Sequence, residues 1–326
     1  MIKETASIGH VGSIVFDRHN LRAKGILDQP YANIPSLFRT LKTQLDNLRP
    51  HNKDITRITA RAFIGNGLTT EKLEEELKTL NLFPGIMLGV DAIITLPENG
   101  SMISSLVYLG GNGPVRQRPE QIVKENETML ATAFNLAQKT LPDPLPSNFS
   151  TQLSIEGSGV TPQDLTDIYG IYSAVFQDYV TDITPANVQA MIENNTIGIV
   201  RDNHGKIVSL TVAEVVPRIV DGITMIELTD SATQPQLHLS TNVRNVNHWA
   251  RATLMEYFSD ASSGVTLIYS EARADLVPAL RNNFWSGFKV AGTLPNSCMM
   301  SSKITSSKLD RGQYGDLVVM YSVLKK

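Results

Sequence analysis

The chain has 326 residues, 42% apolar and 19% charged, with a net charge of −3 and a pI near 6.1. That length favours two domains, each with enough apolar residues for an ordinary core. No basic stripe stands out, which argues against nucleic acid as a partner, and the single cysteine, Cys298, excludes internal disulfides and CxxC-type zinc sites. Its Asn-Ser-Cys-Met-Met surroundings suit an inert, partly buried thiol rather than a nucleophile. Met1 to Ala6 lacks the apolar run of a signal peptide, and no stretch approaches the ~20 apolar residues of a membrane span. A cytoplasmic protein without a membrane partner is expected.

In chain order, Ile34 to Leu48 places Leu37, Leu41, Leu45 and Leu48 on one helical stripe. Ile55 to Phe63 alternates apolar and polar residues, as a half-buried strand does. Thr70 to Leu80 reads as a helix with Thr70 as N-cap and Leu73, Leu77 and Leu80 inward. Strands follow at about Ile86 to Leu96 and Met102 to Leu109, joined by the hairpin signal Glu98-Asn99-Gly100. Gly110 to Pro114 is expected as a loop. Glu120 to Lys139 is an amphipathic helix with Val123, Leu130, Phe134 and Leu136 near helical spacing. Leu141 to Ser150 contains three prolines, which no helix or central strand sustains. The chain therefore divides into an N-terminal α/β domain (1–140), a Pro-rich linker (141–150) and a C-terminal domain (151–326).

Beyond the linker, strand Gln152 to Ile155 leads to a helix at Gln163 to Phe176, which Thr161-Pro162 can start. A helix at Pro185 to Asn194 precedes strands Thr196 to Arg201 and Lys206 to Val216, joined by the turn Asp202-Asn203-His204-Gly205. Strand Thr224 to Thr229, helix Val246 to Phe258, strand Thr266 to Ser270 and helix Leu276 to Phe284 come next. A hairpin of about Phe288 to Leu294 and Leu317 to Leu324 closes the chain. Arg57 to Leu109 echoes Thr266 to Leu324: both read strand, Ala-Arg-Ala, helix, turn and two strands, which suggests a duplicated half-domain.

Several residues carry a resemblance. Glu227-Leu228-Thr229-Asp230-Ser231-Ala232-Thr233-Gln234-Pro235 resembles the strand and ligand loop of the GNAT superfamily of N-acetyltransferases, and in particular the β-lysine N6-acetyltransferase-like proteins. Ala272-Arg273-Ala274, Gly287-Phe288 and Gly292-Thr293-Leu294-Pro295-Asn296 are similar to later stretches of that family. Asp17-Arg18-His19-Asn20-Leu21-Arg22 is similar to its opening. The resemblance is dense from Thr196 onward and thin before Ser150. It implies a GNAT-type mixed sheet flanked by helices and acetyl-CoA as cosubstrate, with a smaller N-terminal α/β unit before it; the internal echo leaves open that this unit is a degenerate half of the same fold.

The resemblance also implies a site. Backbone amides at a helix N-terminus bind phosphate without side-chain charge. Family members place an Arg-Gly-x-Gly loop there, where glycines turn amides towards a pyrophosphate. Here the matching words are Arg244-Asn245-Val246-Asn247, after an insertion at Gln236 to Val243. Asn tolerates the left-handed region better than most residues, so the loop either keeps its grip with asparagines or has lost it. Main-chain amides around Ser231, Ala232 and Thr233 would hold the thioester, and Asn282 or Asn283 would bond the pantetheine arm.

Acetyl transfer also needs a base for the acceptor ammonium. Glu227 and Asp230 are the candidates. They stand three apart and face opposite sides of a regular strand, so only one lines the cleft unless a bulge intervenes. Glu227 resembles the acidic residue of the family but also suits a solvated strand position. Asp230 suits a loop-holding Asx role. Glu271 and Arg273 fit substrate contacts, or more simply a surface pair. The helix near Asn283-Phe284-Trp285-Ser286 lacks the Tyr that serves many of these enzymes as general acid. The six histidines form no H-x-x-x-H pair, so no metal site is expected; His238 and His248 read as surface residues. Gly157-Ser158-Gly159 lacks the context of a hydrolase elbow. Two functions follow: acetyl transfer from acetyl-CoA to a primary amine of a small amino acid or related compound, or a catalytically inactive GNAT-fold module that binds a ligand or partner. The loop at Gln234 to Asn247 discriminates them.

Overall fold

The computed structural model describes residues 4–7, 13–17, 22–26, 39, 42–43, 56–65, 69–79, 85–97, 103–116, 119–178, 182–220, 222–239, 246–261, 264–299, 301–302 and 314–325. Its N-terminal elements are β1 (Glu4–Ser7), β2 (Ser13–Asp17), β3 (Arg22–Ile26), β4 (Arg57–Gly65), α1 (Thr70–Thr79), β5 (Gly89–Thr95), β6 (Ile103–Asn112) and α2 (Glu120–Lys139). They are followed by β7 (Phe149–Ile155), α3 (Pro162–Val175), β8 (Phe176–Asp178), α4 (Pro185–Glu193), β9 (Thr196–Asp202), β10 (Ile207–Val220), β11 (Ile223–Thr233) and α5 (Pro235–Leu239). The chain closes with α6 (Val246–Ala261), β12 (Val265–Arg273), α7 (Val277–Trp285), β13 (Lys289–Cys298), β14 (Ser301–Ser302) and β15 (Gly315–Lys325). The leucine stripe at 34–48 lies outside the described residues except at Arg39, Lys42 and Thr43, and so does the turn at Glu98-Asn99-Gly100.

One mixed sheet of 13 strands runs β1-β2-β3-β4-β6-β5-β13-β15-β12-β11-β10-β9-β7, and β8 pairs with β14 apart from it. Read outward from the β5–β13 junction, the two sides carry the same order. On each side the junction strand, β5 or β13, pairs antiparallel with β6 or β15, which pairs antiparallel with the second member of a parallel pair, β3–β4 or β11–β12, and antiparallel strands complete the side. A helix leaves the second parallel strand on both sides, α1 after β4 and α7 after β12. The duplication suggested by the sequence echo is thus present in topology.

The Ala-Arg-Ala words themselves do not superpose. A bulge stands at Val90/Ala92 opposite Leu109 and Tyr108, and a matching one at Val290/Gly292 opposite Met320 and Val319. Arg61 lies opposite Tyr108, whereas Glu271 lies opposite Val319. Arg61 therefore corresponds to Glu271, and Arg273 stands one pleat further on.

The junction is the single bridge Gly292↔Ala92. A Cβ on Gly292 would overlap the Asp91 carbonyl and come within 2.7 Å of the Ala92 Cα, so only glycine lets the strands approach. One apolar cluster spans the junction and joins Phe63, Ile94 and Tyr108 to Met225, Leu267, Tyr269 and Val319. On one face of the C-terminal half, α2, α6 and α7 cover Ile226, Leu228, Ile268 and Met320. On the other, α3 and α4 cover Ile197, Ile199, Leu210 and Val212.

Several expectations are corrected. β4 is buried along nearly its whole length on both faces rather than half-buried, with Phe63 in the apolar cluster that spans the junction. The N-cap of α1 is Thr69, whose Oγ1 accepts from the Lys72 amide at 3.4 Å; Thr70 is the first helical residue. Gly110 to Asn112 continue β6 instead of forming a loop, since Gly110 leaves room for Asp91 and Arg57 beside it. In α2 the buried contact is Ala133, while Phe134 is 47% exposed, because the helix meets α7 along a narrow seam. Phe134 touches Phe284 edge-on, with centroids 5.3 Å apart.

Other signals are realised closely. Thr161 caps α3 in a capping box with Asp164 and with Pro162 in the first turn. The β9–β10 hairpin turns at Gly205, with φ of +79°, while Asp202 Oδ1 accepts from the His204 and Lys206 amides. Cys298 is buried.

Candidate functional site

β11 and β12 pair in parallel from Ile223↔Val265 to Glu227↔Tyr269, and there the pairing stops. β11 runs on to Thr233 beside β10, and β12 runs on to Arg273 beside β15. Two adjacent strands that follow different neighbours open a fork, and beyond it one edge of β11 has no strand partner among the described residues. Glu227 sits at the fork.

Just past it β11 bulges. Leu210 faces Ala232 and Val212 faces Thr229, so β11 holds one residue more than β10 in this stretch. Asp230 takes the extra turn in the left-handed region, with φ of +45°. A bulge therefore does intervene, at Asp230, directly after the regular stretch that carries Glu227. The Asp230 carbonyl accepts from the Tyr172 hydroxyl of α3 at 2.7 Å, and its Oδ1 accepts from Thr229 Oγ1 at 3.2 Å. The next side chains are tied to β10. Ser231 Oγ meets Thr211 Oγ1 at 3.1 Å, Thr233 Oγ1 meets Ser209 Oγ at 2.8 Å, and the Ala232 carbonyl accepts from Ser209 Oγ at 3.0 Å. What this stretch offers the fork is main chain.

Glu227 is not a freely solvated strand residue. Its Oε2 accepts from the Tyr269 hydroxyl at 2.8 Å and lies 3.7 Å from Arg61 Nη1, and its side chain is 17% exposed. Burial pushes the Tyr269 phenol well above its usual pKa, outweighing the opposing pull of Arg61. Glu271 and Arg273 do not form a surface pair either. Arg273 is buried and bonds Asp275 through Nε and Nη2 at 2.9 and 2.6 Å, while Glu271 lines a cavity of about 10 Å³ with Arg22, Arg61, Asp91 and Tyr108.

Arg244 and Asn245 lie outside the described residues. Val246 packs with Val200, Val208 and Ala250. Asn247 donates Nδ2 towards Leu210 O at 2.9 Å, Thr211 Oγ1 at 3.1 Å and Ser209 Oγ at 3.3 Å, which fastens the start of α6 to β10. Gly198 lets α6 approach, because a Cβ there would overlap the Ala250 carbonyl.

Between α6 and α7 lies a polar group set in apolar surroundings. Arg251 Nη1 donates to Asn283 Oδ1, and its guanidinium stands 5.8 Å from the Phe288 ring centre. His248 is buried edge-on to Trp249 and Trp285, not on the surface. Burial, helped by Arg251, pushes its pKa down to about 4, and burial alone pushes Arg251 down to about 10. Arg251 Nε, Asn283 Nδ2, Asn282 Oδ1 and His248 Nδ1 are buried without a hydrogen-bond partner. Buried donors and acceptors left open cost about 1–3 kcal/mol each, and four such atoms collect in this one seam. Asn282, which the resemblance offered for a pantetheine arm, lies in this seam with Asn283 beside it.

Sequence reasoning missed Arg251, Tyr269 and Arg61. Arg251 was legible as a charge beside the apolar positions Val246, Ala250 and Leu254 of α6. The other two join Glu227 only through parallel register and the approach of β4, neither of which has a linear signature. Among the described residues no group of three or more His, Cys, Asp or Glu side chains is placed to hold a metal, and no helix is long and apolar enough to cross a membrane.

By sequence the chain matches no protein-family model and no curated protein. By structure it is similar to several N-acetyltransferases. The ribosomal-protein-S5-alanine acetyltransferase from Vibrio fischeri is 9% identical with a TM-score of 0.40, over 56% of this chain and 97% of that one. The spermidine/spermine N-acetyltransferase from Vibrio cholerae is 13% identical with a TM-score of 0.38, over 55% and 95%. A GNAT superfamily phosphinothricin acetyltransferase from Sinorhizobium meliloti, solved with AcCoA, is 12% identical with a TM-score of 0.38, over 55% and 89%.

Proposed function

We propose that the protein transfers an acetyl group from acetyl-CoA to a primary amine of a small amino acid or related compound, with a lysine-like amine such as β-lysine as the first candidate. The observation that carries this reading is the fork: a parallel pair that parts at Glu227↔Tyr269, with a bulged strand directly beyond it. A bulge turns main-chain groups out of the ladder, so amides near Asp230 to Ala232 would take the thioester oxygen as charge develops on it. Glu227, at the mouth of the fork, would accept the proton of the acceptor ammonium. The seam of Arg251, Asn282, Asn283 and His248 would hold the pantetheine arm and a phosphate. Acetyl-CoA would supply the activated acetyl group: the amine nitrogen bonds the carbonyl carbon, the carbon–sulfur bond breaks, and CoA leaves as a thiolate that takes the second proton lost by nitrogen, while Glu227 keeps the first.

A second reading keeps the architecture without the reaction, as a module that binds a ligand or partner. It draws support from Asn247, whose side-chain amide is spent on β10 at the position where the resemblance expects a glycine. Calorimetric titration with acetyl-CoA separates the two. Micromolar affinity, reduced at least tenfold in Arg251→Met, supports the transferase; no binding at millimolar cosubstrate removes it. Turnover with an amine panel then tests the base, since Glu227→Gln should lose about 10²-fold or more in kcat.

A further inference from the structure

The N-terminal half supplies a side chain to the fork of the C-terminal half. Arg61 projects from β4 and donates Nη1 to the Tyr269 hydroxyl, which in turn donates to Glu227 Oε2 at 2.8 Å. Its guanidinium lies 5.4 Å from the Tyr269 ring centre and 5.9 Å from that of Tyr108, and the two rings meet edge-on at 6.4 Å. Tyr269 is fully buried, so its proton has no water to turn to and stays committed to the carboxylate. Glu227 and Tyr269 form the last rung of the parallel ladder, which places this bond at the point where the strands part. The repeat does not reproduce the arrangement on its other side. By the register of the two halves, Thr59 stands at the position of Tyr269 and Lys24 at that of Glu227.

We propose that Tyr269 and Arg61 are positioning residues for Glu227: together they hold Oε2, leave Oε1 to meet the acceptor amine, and make the N-terminal half a working part of the site rather than a neighbour. The proposal rests on the reading of Glu227 as base. It concerns orientation and charge, not contact with substrate. The groups facing Glu227 are Arg61 from β4, Tyr108 from β6, Tyr269 and Glu271 from β12, and Glu214, its cross-strand partner on β10. Arg61 is the cation among them, with Nη1 3.7 Å from Oε2.

The test uses the full chain with Tyr269→Phe, Arg61→Met, Arg61→Lys and Glu227→Gln. Both kcat and KM for acetyl-CoA are measured for each. Arg61→Met should cost roughly tenfold in kcat with KM for acetyl-CoA unchanged, and Arg61→Lys should return most of the loss. Tyr269→Phe should cost roughly tenfold or more in kcat, a fraction of what a positioned base supplies, with KM for acetyl-CoA unchanged. A purely structural role would lower the melting temperature without a kcat loss that Arg61→Lys restores. Wild-type kcat in Arg61→Met, or in Tyr269→Phe, overturns the proposal; should Arg61→Met not fold, Tyr269→Phe decides alone. Wild-type turnover in Glu227→Gln removes the base reading and this proposal with it. That outcome is distinct from failure of the positioning pair alone, in which Glu227→Gln is inactive and Tyr269→Phe is not.

Discussion

Asp164 joins three things that can be separated by mutation. Its Oδ2 accepts from the Thr161 amide at 2.8 Å and from Thr161 Oγ1 at 2.9 Å, closing the cap of α3, and its Oδ1 meets Arg201 Nη1 of β9 at 2.5 Å. Losing a cap costs about 0.5–2 kcal/mol, and removing one partner of a buried ion pair costs about 3–5 kcal/mol. The second figure is an upper limit here, because Arg201 keeps Gln152 Oε1 at 2.7 Å and Gly205 O at 2.9 Å. Asp164→Ala should therefore destabilise by about 2–4 kcal/mol, and Asp164→Asn, which keeps an acceptor oxygen, by about 1–2 kcal/mol. A cycle with Arg201→Met should show coupling of roughly 1 kcal/mol or more.

The pH dependence of this site has a definite sign. Burial pushes the Asp164 carboxyl up, but Arg201 and the Thr161 bonds outweigh it, and the net pKa lies below the ordinary value. A depressed carboxylate contributes stability that is present above its unfolded pKa of about 3.9 and is lost as pH falls through the folded value. Urea unfolding of wild type and Asp164→Asn, followed by circular dichroism, should show a gap at pH 7 that shrinks near pH 3. Equal stability at pH 7, or an undiminished gap at pH 3, would refute the argument.

Other outcomes follow from single contacts. Gly292→Val should cost about 1–3 kcal/mol by overpacking the junction, visible as a lower melting temperature in calorimetry; wild-type melting would mean the strands do not approach as described. Gly198→Ala should displace α6 from β9 and lower the melting temperature in calorimetry; an unchanged melting temperature would mean the helix does not approach β9 as described. Tyr172→Phe removes the donor to the Asp230 carbonyl and should cost about 1 kcal/mol in urea unfolding. Cys298 is buried, so its rate of labelling by a thiol reagent should rise with denaturant as the opened fraction grows; the rate of a free thiol in the absence of denaturant would refute its burial.

Local signals settled much of this protein before any folding was considered. Thr161-Pro162 with Asp164 starts α3, Asp202 and Gly205 turn the β9–β10 hairpin, and the Leu73/Leu77 spacing makes α1, because caps, turns and stripes act within a few residues. The words from Glu227 to Pro235 likewise marked the strand that carries the candidate base. Only tertiary structure decided which long-range neighbours those residues meet. Arg61 reaches Tyr269 across 208 positions of chain, the fork exists because β11 and β12 follow different partners, and the Ala-Arg-Ala echo slipped by a pleat because register is set by bulges and not by words. Those are properties of hydrogen-bond ladders and packing between distant segments, and a linear pattern has no means of specifying them.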